Sequence, residues 1–158
     1  MSENYIVING KRAELTEEQL RQLGIEVPKA NPFEEVEYFE KFYYININGK
    51  VNETKEYKEE ADRDLHSVAN YCTDKAIMEQ RALHETLNRL LWRYSMEHKK
   101  KRDGKVWVIR HSEGKFVPAW TPESFYLGDI IFDTESIASN AIATIVKPFI
   151  NAHPDFKW

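Results

Sequence analysis

The chain has 158 residues, 42% hydrophobic and 30% charged, with a formal net charge of −4. Its length fits one domain or two very small ones, and six glycines with six prolines are too few for a disordered tail or linker. A single cysteine, Cys72, excludes an intramolecular disulfide and points to a reducing compartment, the cytoplasm. The start, MSENYIVING, has no basic segment followed by an apolar core, so no signal peptide is expected. No apolar run approaches the roughly 18 residues of a membrane span, so no membrane partner is expected.

Taken in chain order, the first element is a hairpin. Asn9-Gly10 lies between Tyr5–Ile8 and Lys11–Glu14, and Asn-Gly favours the type I′ turn because both central residues need positive φ. A short helix follows, with Thr16 as N-cap and Gln19 completing a capping box. Leu15 and Leu20 are placed for a hydrophobic staple, and Gly24 ends the helix. Pro28 and Pro32 mark a connector. A second hairpin runs Phe42–Ile47 and Lys50–Tyr57 around Asn48-Gly49, with an acidic loop after it through Asp64. Val68–Cys72 reads as a third strand. Thr73 is expected to cap a long helix over 74–100, whose terminal lysines suit the helix dipole before Asp103-Gly104 stops it. A third hairpin joins Val106–Arg110 to Lys115–Trp120 through Ser112–Gly114. A loop with Pro118 and Pro122 leads to a candidate strand, Asp129–Phe132. Asp133 is expected to cap a helix reaching about Lys147, where Pro148 kinks or ends it.

The last two hairpins belong to an internal repeat of hairpin, loop, third strand and capped helix. Gly49 corresponds to Gly114, Cys72 to Phe132 and Thr73 to Asp133. The expected fold is therefore α+β. Two tandem repeats, 38–104 and 105–158, form antiparallel sheet with helices on one face as one compact domain. An N-terminal hairpin-helix element over 1–30 precedes them.

At about 100° per residue, Ala76, Leu83, Leu87, Leu90, Leu91 and Tyr94 share a core face of the first long helix. Met78, Glu85, Trp92 and Met96 fall on the opposite side, with Arg81 and Arg89 beside them. Two readings stay open. That second side is buried against the other repeat or a sister chain, which allows a homodimer, or it binds a partner, since Trp, Met and Arg are enriched in interfaces. The second helix carries Ile137, Ala138, Ala141, Ile142, Ile145, Val146 and Phe149 over half its circumference, wide enough to absorb Trp92.

Catalytic and metal signatures are sought and not found. His84-Glu85 begins like a helical zinc motif, but the second ligand position is Asn88, and the five histidines lack metal spacing. Cys72 lies before a helix N-terminus, which lowers a thiol pKa. Its correspondence with Phe132 favours a small buried residue instead. No phosphate-binding glycine loop or nucleophile elbow is present. No catalytic residue, metal or cofactor is expected, and so no enzyme.

Binding candidates remain. Glu59, Glu60, Asp62 and Asp64 fit no EF-hand and read as a solvated acidic loop that a partner can meet. Trp92, Met96 and Arg89 are the other partner-binding candidates. The run YFEKFYY over 38–44 is aromatic enough to stack bases, although alternate strand residues face the core by default. The basic run Lys99-Lys100-Lys101-Arg102, with Arg89 and Arg93 upstream, is the best nucleic-acid candidate. Charge is also segregated: residues 1–64 carry net −6, 65–117 net +5 and 118–158 net −3, an asymmetry able to steer a charged partner.

The segments NYCTDKAIMEQRALHETLNRLLWRYSM (70–96) and IVKPFINAHPDFKW (145–158) carry a resemblance. Here Asn70-Tyr71-Cys72-Thr73-Asp74-Lys75 and Phe132-Asp133-Thr134-Glu135 stand where paired helix starts follow two hairpins. Over about 38–158 the chain resembles a family of small proteins encoded by phages, prophages and other mobile elements of Gram-positive gut bacteria. The matching positions read as caps and core, so the resemblance implies a genomic setting and no activity. Small non-enzymatic proteins of such elements often bind host machinery. The expectation is a protein that inhibits a host protein or nucleoprotein complex, with an anti-CRISPR-like, anti-defence inhibitor as its concrete form. The alternative is a nucleic-acid-binding protein using the basic helix end.

Overall fold

The computed structural model describes residues 5–8, 11–24, 31–101, 105–121 and 130–158. The turn Asn9-Gly10, together with Pro28, Arg102, Asp103, Gly104, Pro122 and Asp129, lies outside the described residues. The secondary structure is α+β, with three separate two-stranded ladders among the described residues in place of one continuous sheet.

The chain divides into two compact units, Met1–Tyr44 with Glu53–Asp74, and Ile45–Asn52 with Lys75–Trp158. The division passes through the segment 38–104.

The first unit begins with β1 (Tyr5–Ile8) and β2 (Lys11–Glu14), paired antiparallel from Tyr5 opposite Glu14 to Ile8 opposite Lys11. Helix α1 (Glu17–Gln22) starts as its capping box dictates. The Gln19 N–H donates to Thr16 Oγ1 at 3.3 Å, and the Thr16 N–H donates to Gln19 Oε1 at 2.9 Å. The hairpin of β3 (Lys41–Ile45) and β4 (Val51–Lys55) has its base in this unit. After β4 the expected acidic loop is instead a helix, α2 (Glu60–Ser67). Asp62 makes it one: its carboxylate accepts the N–H of Glu59 at 3.3 Å and of Tyr57 at 2.9 Å, satisfying donors that a helix start leaves open. Val68–Cys72 is not a strand. Only Cys72 pairs with Tyr43, as an isolated antiparallel bridge. The core is small: Val36, Phe42 and Tyr71, with Tyr44 and Leu65 against them, the Phe42 and Tyr71 rings stacked at 4.0 Å.

The second unit contains the hairpin tip. Gly49 N–H donates to Asn46 O, and Asn46 N–H to Lys50 O, which makes a three-residue loop. Of the turn residues only Gly49 has positive φ, at 76°. The turn is therefore type I followed by a left-handed glycine, and the type I′ expectation for Asn48-Gly49 is corrected. The Asn46 side chain decides it, accepting the N–H groups of Asn48 at 2.9 Å and Lys50 at 3.1 Å. The two-residue type I′ geometry occurs elsewhere, between β5 (Val106–Ser112) and β6 (Lys115–Thr121). There Ser112 pairs with Lys115, while Glu113 and Gly114 hold φ of 49° and 73°. Pro118 lies inside β6 opposite Ile109, not in a loop; a two-stranded ladder has only edge strands, which tolerate proline.

Helix α3 (Lys75–Glu97) is shorter at its C-terminus than expected, because the Lys100 N–H is taken by the Asp133 carboxylate at 2.8 Å. Asp133 therefore does not cap the following helix. That role falls to Thr134, whose Oγ1 accepts the Ile137 N–H at 3.3 Å to start α4 (Glu135–Ala141). The expected strand Asp129–Phe132 shrinks, in its described part, to a bridge between Phe132 and Trp107. Nor does Pro148 end the helix. A π-helical segment, Ile142–Val146, widens the backbone, with Lys147 N–H reaching Ile142 O, and α5 (Lys147–Ala152) continues. Proline removes a helical donor and its ring crowds the preceding turn, so it sits at the start of the new segment. The core joins Leu87 and Leu91 of α3 to Phe132, Ile137, Ala138, Ala141, Val146, Phe149 and Phe156.

Candidate functional site

Helix α3 presents two different faces along its length. Its C-terminal half buries Leu87 and Leu91, as the apolar spacing predicts, with Leu83, Leu90 and Tyr94 partly buried beside them. Its first turns do the reverse. Ala76, expected in the core, is exposed, and Met78, expected opposite, is fully buried along with Ala82. At about 100° per residue Met78 and Leu87 lie roughly 180° apart, so burial switches sides between them. The Met78 side then emerges into solvent about four to five turns later, where it carries Trp92 and Met96, 59% and 44% exposed. The second helix does not absorb Trp92.

Charge is organised along the same face. Arg81 Nε lies 3.0 Å from Glu85 Oε1, and Arg89 Nη2 lies 2.9 Å from Glu85 Oε2. This arginine–glutamate–arginine ladder runs along the helix surface and ends one turn before Trp92. The hairpin tip reaches the same region of the second unit: a Cβ on Gly49 would meet Arg89 Nη1 at 3.6 Å and Thr86 Oγ1 at 3.5 Å. Two residues before it, Ile47 is 98% exposed. Sequence reasoning passed over Ile47 as the end of a strand. The detectable signal was Asn46, whose side-chain turn places Ile47 outside the ladder.

The other expected site residues scatter. Glu59 and Glu60 are exposed at the start of α2 and Asp64 on its surface, but Asp62 is buried in the capping arrangement and does not face a partner. Arg93, one turn beyond Arg89, lies 4.0 Å from Glu97. Lys99, Lys100 and Lys101 are exposed just beyond the helix end. Arg102 is outside the described residues.

Among the described residues no group of His, Cys, Asp and Glu is gathered as a metal site would require. No described helix is long and apolar enough to cross a membrane. Cys72 is buried, its Sγ within 3.4 Å of both the carbonyl oxygen and the N–H of Asp74. A cleft of about 520 Å³ in the second unit is lined by Lys50, Lys75, Glu79, Gln80, His153 and Asp155 among others. Gln80 is already committed there, donating to Asp155 O at 2.8 Å and accepting from Lys157 N at 2.9 Å.

A third group, in the first unit, joins Tyr38 and Phe39 of the aromatic run 38–44 to Tyr57. Tyr38, Phe39 and Tyr57 are 58%, 52% and 43% exposed. Their rings meet edge to face, at 4.6 Å for Tyr38–Phe39, 5.5 Å for Phe39–Tyr57 and 6.3 Å for Tyr38–Tyr57. Phe39 holds φ at 72°, a left-handed conformation that costs an aromatic residue on the order of 1–2 kcal/mol. Its N–H is tied to Glu56 O at 2.8 Å. Beneath it the Glu56 side chain is buried, accepting the Lys58 N–H at 2.7 Å and the Tyr71 hydroxyl at 2.8 Å.

Compared with protein-family models, with curated proteins and with solved structures, the chain matches none.

Proposed function

We propose that this chain is a non-enzymatic binding protein that blocks a host macromolecule, in its concrete form an anti-defence, anti-CRISPR-like inhibitor working in the cytoplasm of a bacterial host. The supporting observation is the bare half of α3: Trp92 and Met96 exposed on a face whose arginines are held by Glu85. Tryptophan and arginine dominate binding energy at protein interfaces. Ile47 at the hairpin tip adds an apolar contact. The acidic surface with Glu59, Glu60 and Asp64 suits a basic nucleic-acid channel on an effector. The mobile-element resemblance supplies the setting.

Affinity purification from a Gram-positive host lysate, with and without nuclease, tests this reading. A protein captured by the natural chain should persist after nuclease treatment and disappear with Trp92→Ala. Capture of nothing, or equal capture by the variant, refutes it. A partner lost with nuclease moves the function to Arg93 and Lys99–Lys101, whose exposure favours the nucleic-acid reading. Recovery of a second copy alone assigns the face to a homodimer.

A further inference from the structure

The aromatic group Tyr38, Phe39 and Tyr57 lies in the most acidic part of the chain. Across residues 31–44 and 53–74 there are eleven Asp and Glu against four Lys and Arg, so the field around the rings is negative. Two of those bases are engaged, Lys41 with Glu53 at 2.8 Å and Lys58 with Glu35 at 3.6 Å. A third shows what the rings accept: Lys55 Nζ stands 5.4 Å from the Phe39 ring centroid, a cation over an aromatic face. We infer that this group is a docking surface for an arginine-bearing segment of a partner protein. The inference rests on the binding-protein reading above and gives the chemistry of a partner at a second surface.

Three observations converge on that occupant. Glycine is the residue at home at a φ of 72°, yet position 39 carries a large ring that is half exposed. Strain of this kind persists where surrounding structure holds it, here the Phe39 N–H bond to Glu56 O and the Lys58 Nζ bond to the Val36 carbonyl at 2.6 Å. The negative field repels nucleic acid, which removes base stacking as the use of the rings. It attracts cations, and a guanidinium stacks flat on an aromatic face where an ammonium acts as a hydrated point charge. Arginine is therefore favoured over lysine, and the bound segment competes with Lys55 for Phe39.

The test uses purified full chain and fluorescein-labelled hexa-arginine and hexa-lysine peptides, read by fluorescence anisotropy at fixed ionic strength. Hexa-arginine should bind about tenfold more tightly than hexa-lysine. Phe39→Gly should weaken hexa-arginine binding about fivefold or more without lowering Tm, because charge is unchanged and backbone strain is relieved. Tyr38→Ala, at a more exposed ring, should act in the same direction, and Lys55→Ala should tighten binding. Unchanged affinity in both ring variants, equal affinity for the two peptides, or no binding overturns the inference. Because no host component is present, such a failure leaves the lysate capture through Trp92 standing, and failed capture leaves the peptide result standing.

Discussion

The Tyr71 hydroxyl donates to the Glu56 carboxylate at 2.8 Å, with both side chains closed off from solvent. The same oxygen accepts the Val36 N–H at 3.0 Å, and Glu56 takes the Lys58 N–H through its other oxygen. Three chain segments of the first unit, at Val36, Glu56–Lys58 and Tyr71, are thus joined by one buried phenol and one buried carboxylate. A buried polar pair of this kind is stabilising only when every member is satisfied, and here each is.

Tyr71→Phe should therefore cost about 1–3 kcal/mol, since it strips a donor from buried Glu56 and an acceptor from Val36. The pH dependence gives a sharper signature. Burial, outweighing the opposing Val36 N–H and reinforced by Glu56, holds the Tyr71 phenol above its ordinary value. A raised folded pKa means that this stability is intact below the unfolded value of about 10 and is lost as pH rises above it. Denaturation of the natural chain and of Tyr71→Phe between pH 8 and pH 11 should show the gap between them narrowing above about pH 10. A gap that stays constant contradicts the buried phenol.

The turn between β5 and β6 offers a gain in stability. Glu113 holds a φ of 49° where asparagine or glycine is at home, and Gly114 follows at 73°. Glu113→Asn should raise stability by about 0.5–1 kcal/mol, and Gly114→Ala should lower it by about 1 kcal/mol or more. Nothing lies within 4 Å of the added Cβ at Gly114, so the loss reads backbone strain and not a clash. Urea denaturation of both variants checks the pair.

What the sequence made legible was local. Thr16 and Gln19 formed their box because capping depends on residues three apart, and Leu87 and Leu91 entered the core because their periodicity is strong. The misread positions depended on partners far along the chain. Asp133 has the spacing of an N-cap, but the Lys100 N–H, 33 residues upstream, claims its carboxylate and leaves Thr134 to cap. Met78 and Trp92 share the side of α3 that the sequence left open between burial and a partner, and packing resolves it differently along the helix, burying Met78 and leaving Trp92 bare. The aromatic surface was hidden for a related reason. The buried residues of β3, Phe42 and Ile45, do not alternate, and Phe39 leaves the strand pattern through a left-handed φ that no local residue preference announces.

The division of labour at Asp133 and Thr134 is separable by mutation. Thr134→Ala removes a helix cap and should cost about 1 kcal/mol. Asp133→Ala removes a buried, charge-assisted acceptor and should cost more, about 1.5–3 kcal/mol. Hydrogen exchange distinguishes the two: loss of Thr134 should speed exchange at Ile137, and loss of Asp133 at Lys100. The opposite assignment would mean that Asp133 caps α4 after all.

The two sides of α3 give the last contrast. Met78 and Trp92 stand on the same side of the helix by rotation, and a single solvated face would make both substitutions harmless. Met78 is fully buried and Trp92 is mostly exposed. Met78→Ala should therefore cost about 2–5 kcal/mol through the cavity it leaves. Trp92→Ala should change stability by no more than about 0.5 kcal/mol. Chemical denaturation of the purified variants measures both. A large loss at Trp92, together with a dimer in sedimentation that Trp92→Ala dissociates, would mean that the ring is covered in solution by a second copy. A small loss in a monomeric protein leaves the tryptophan free for the host partner.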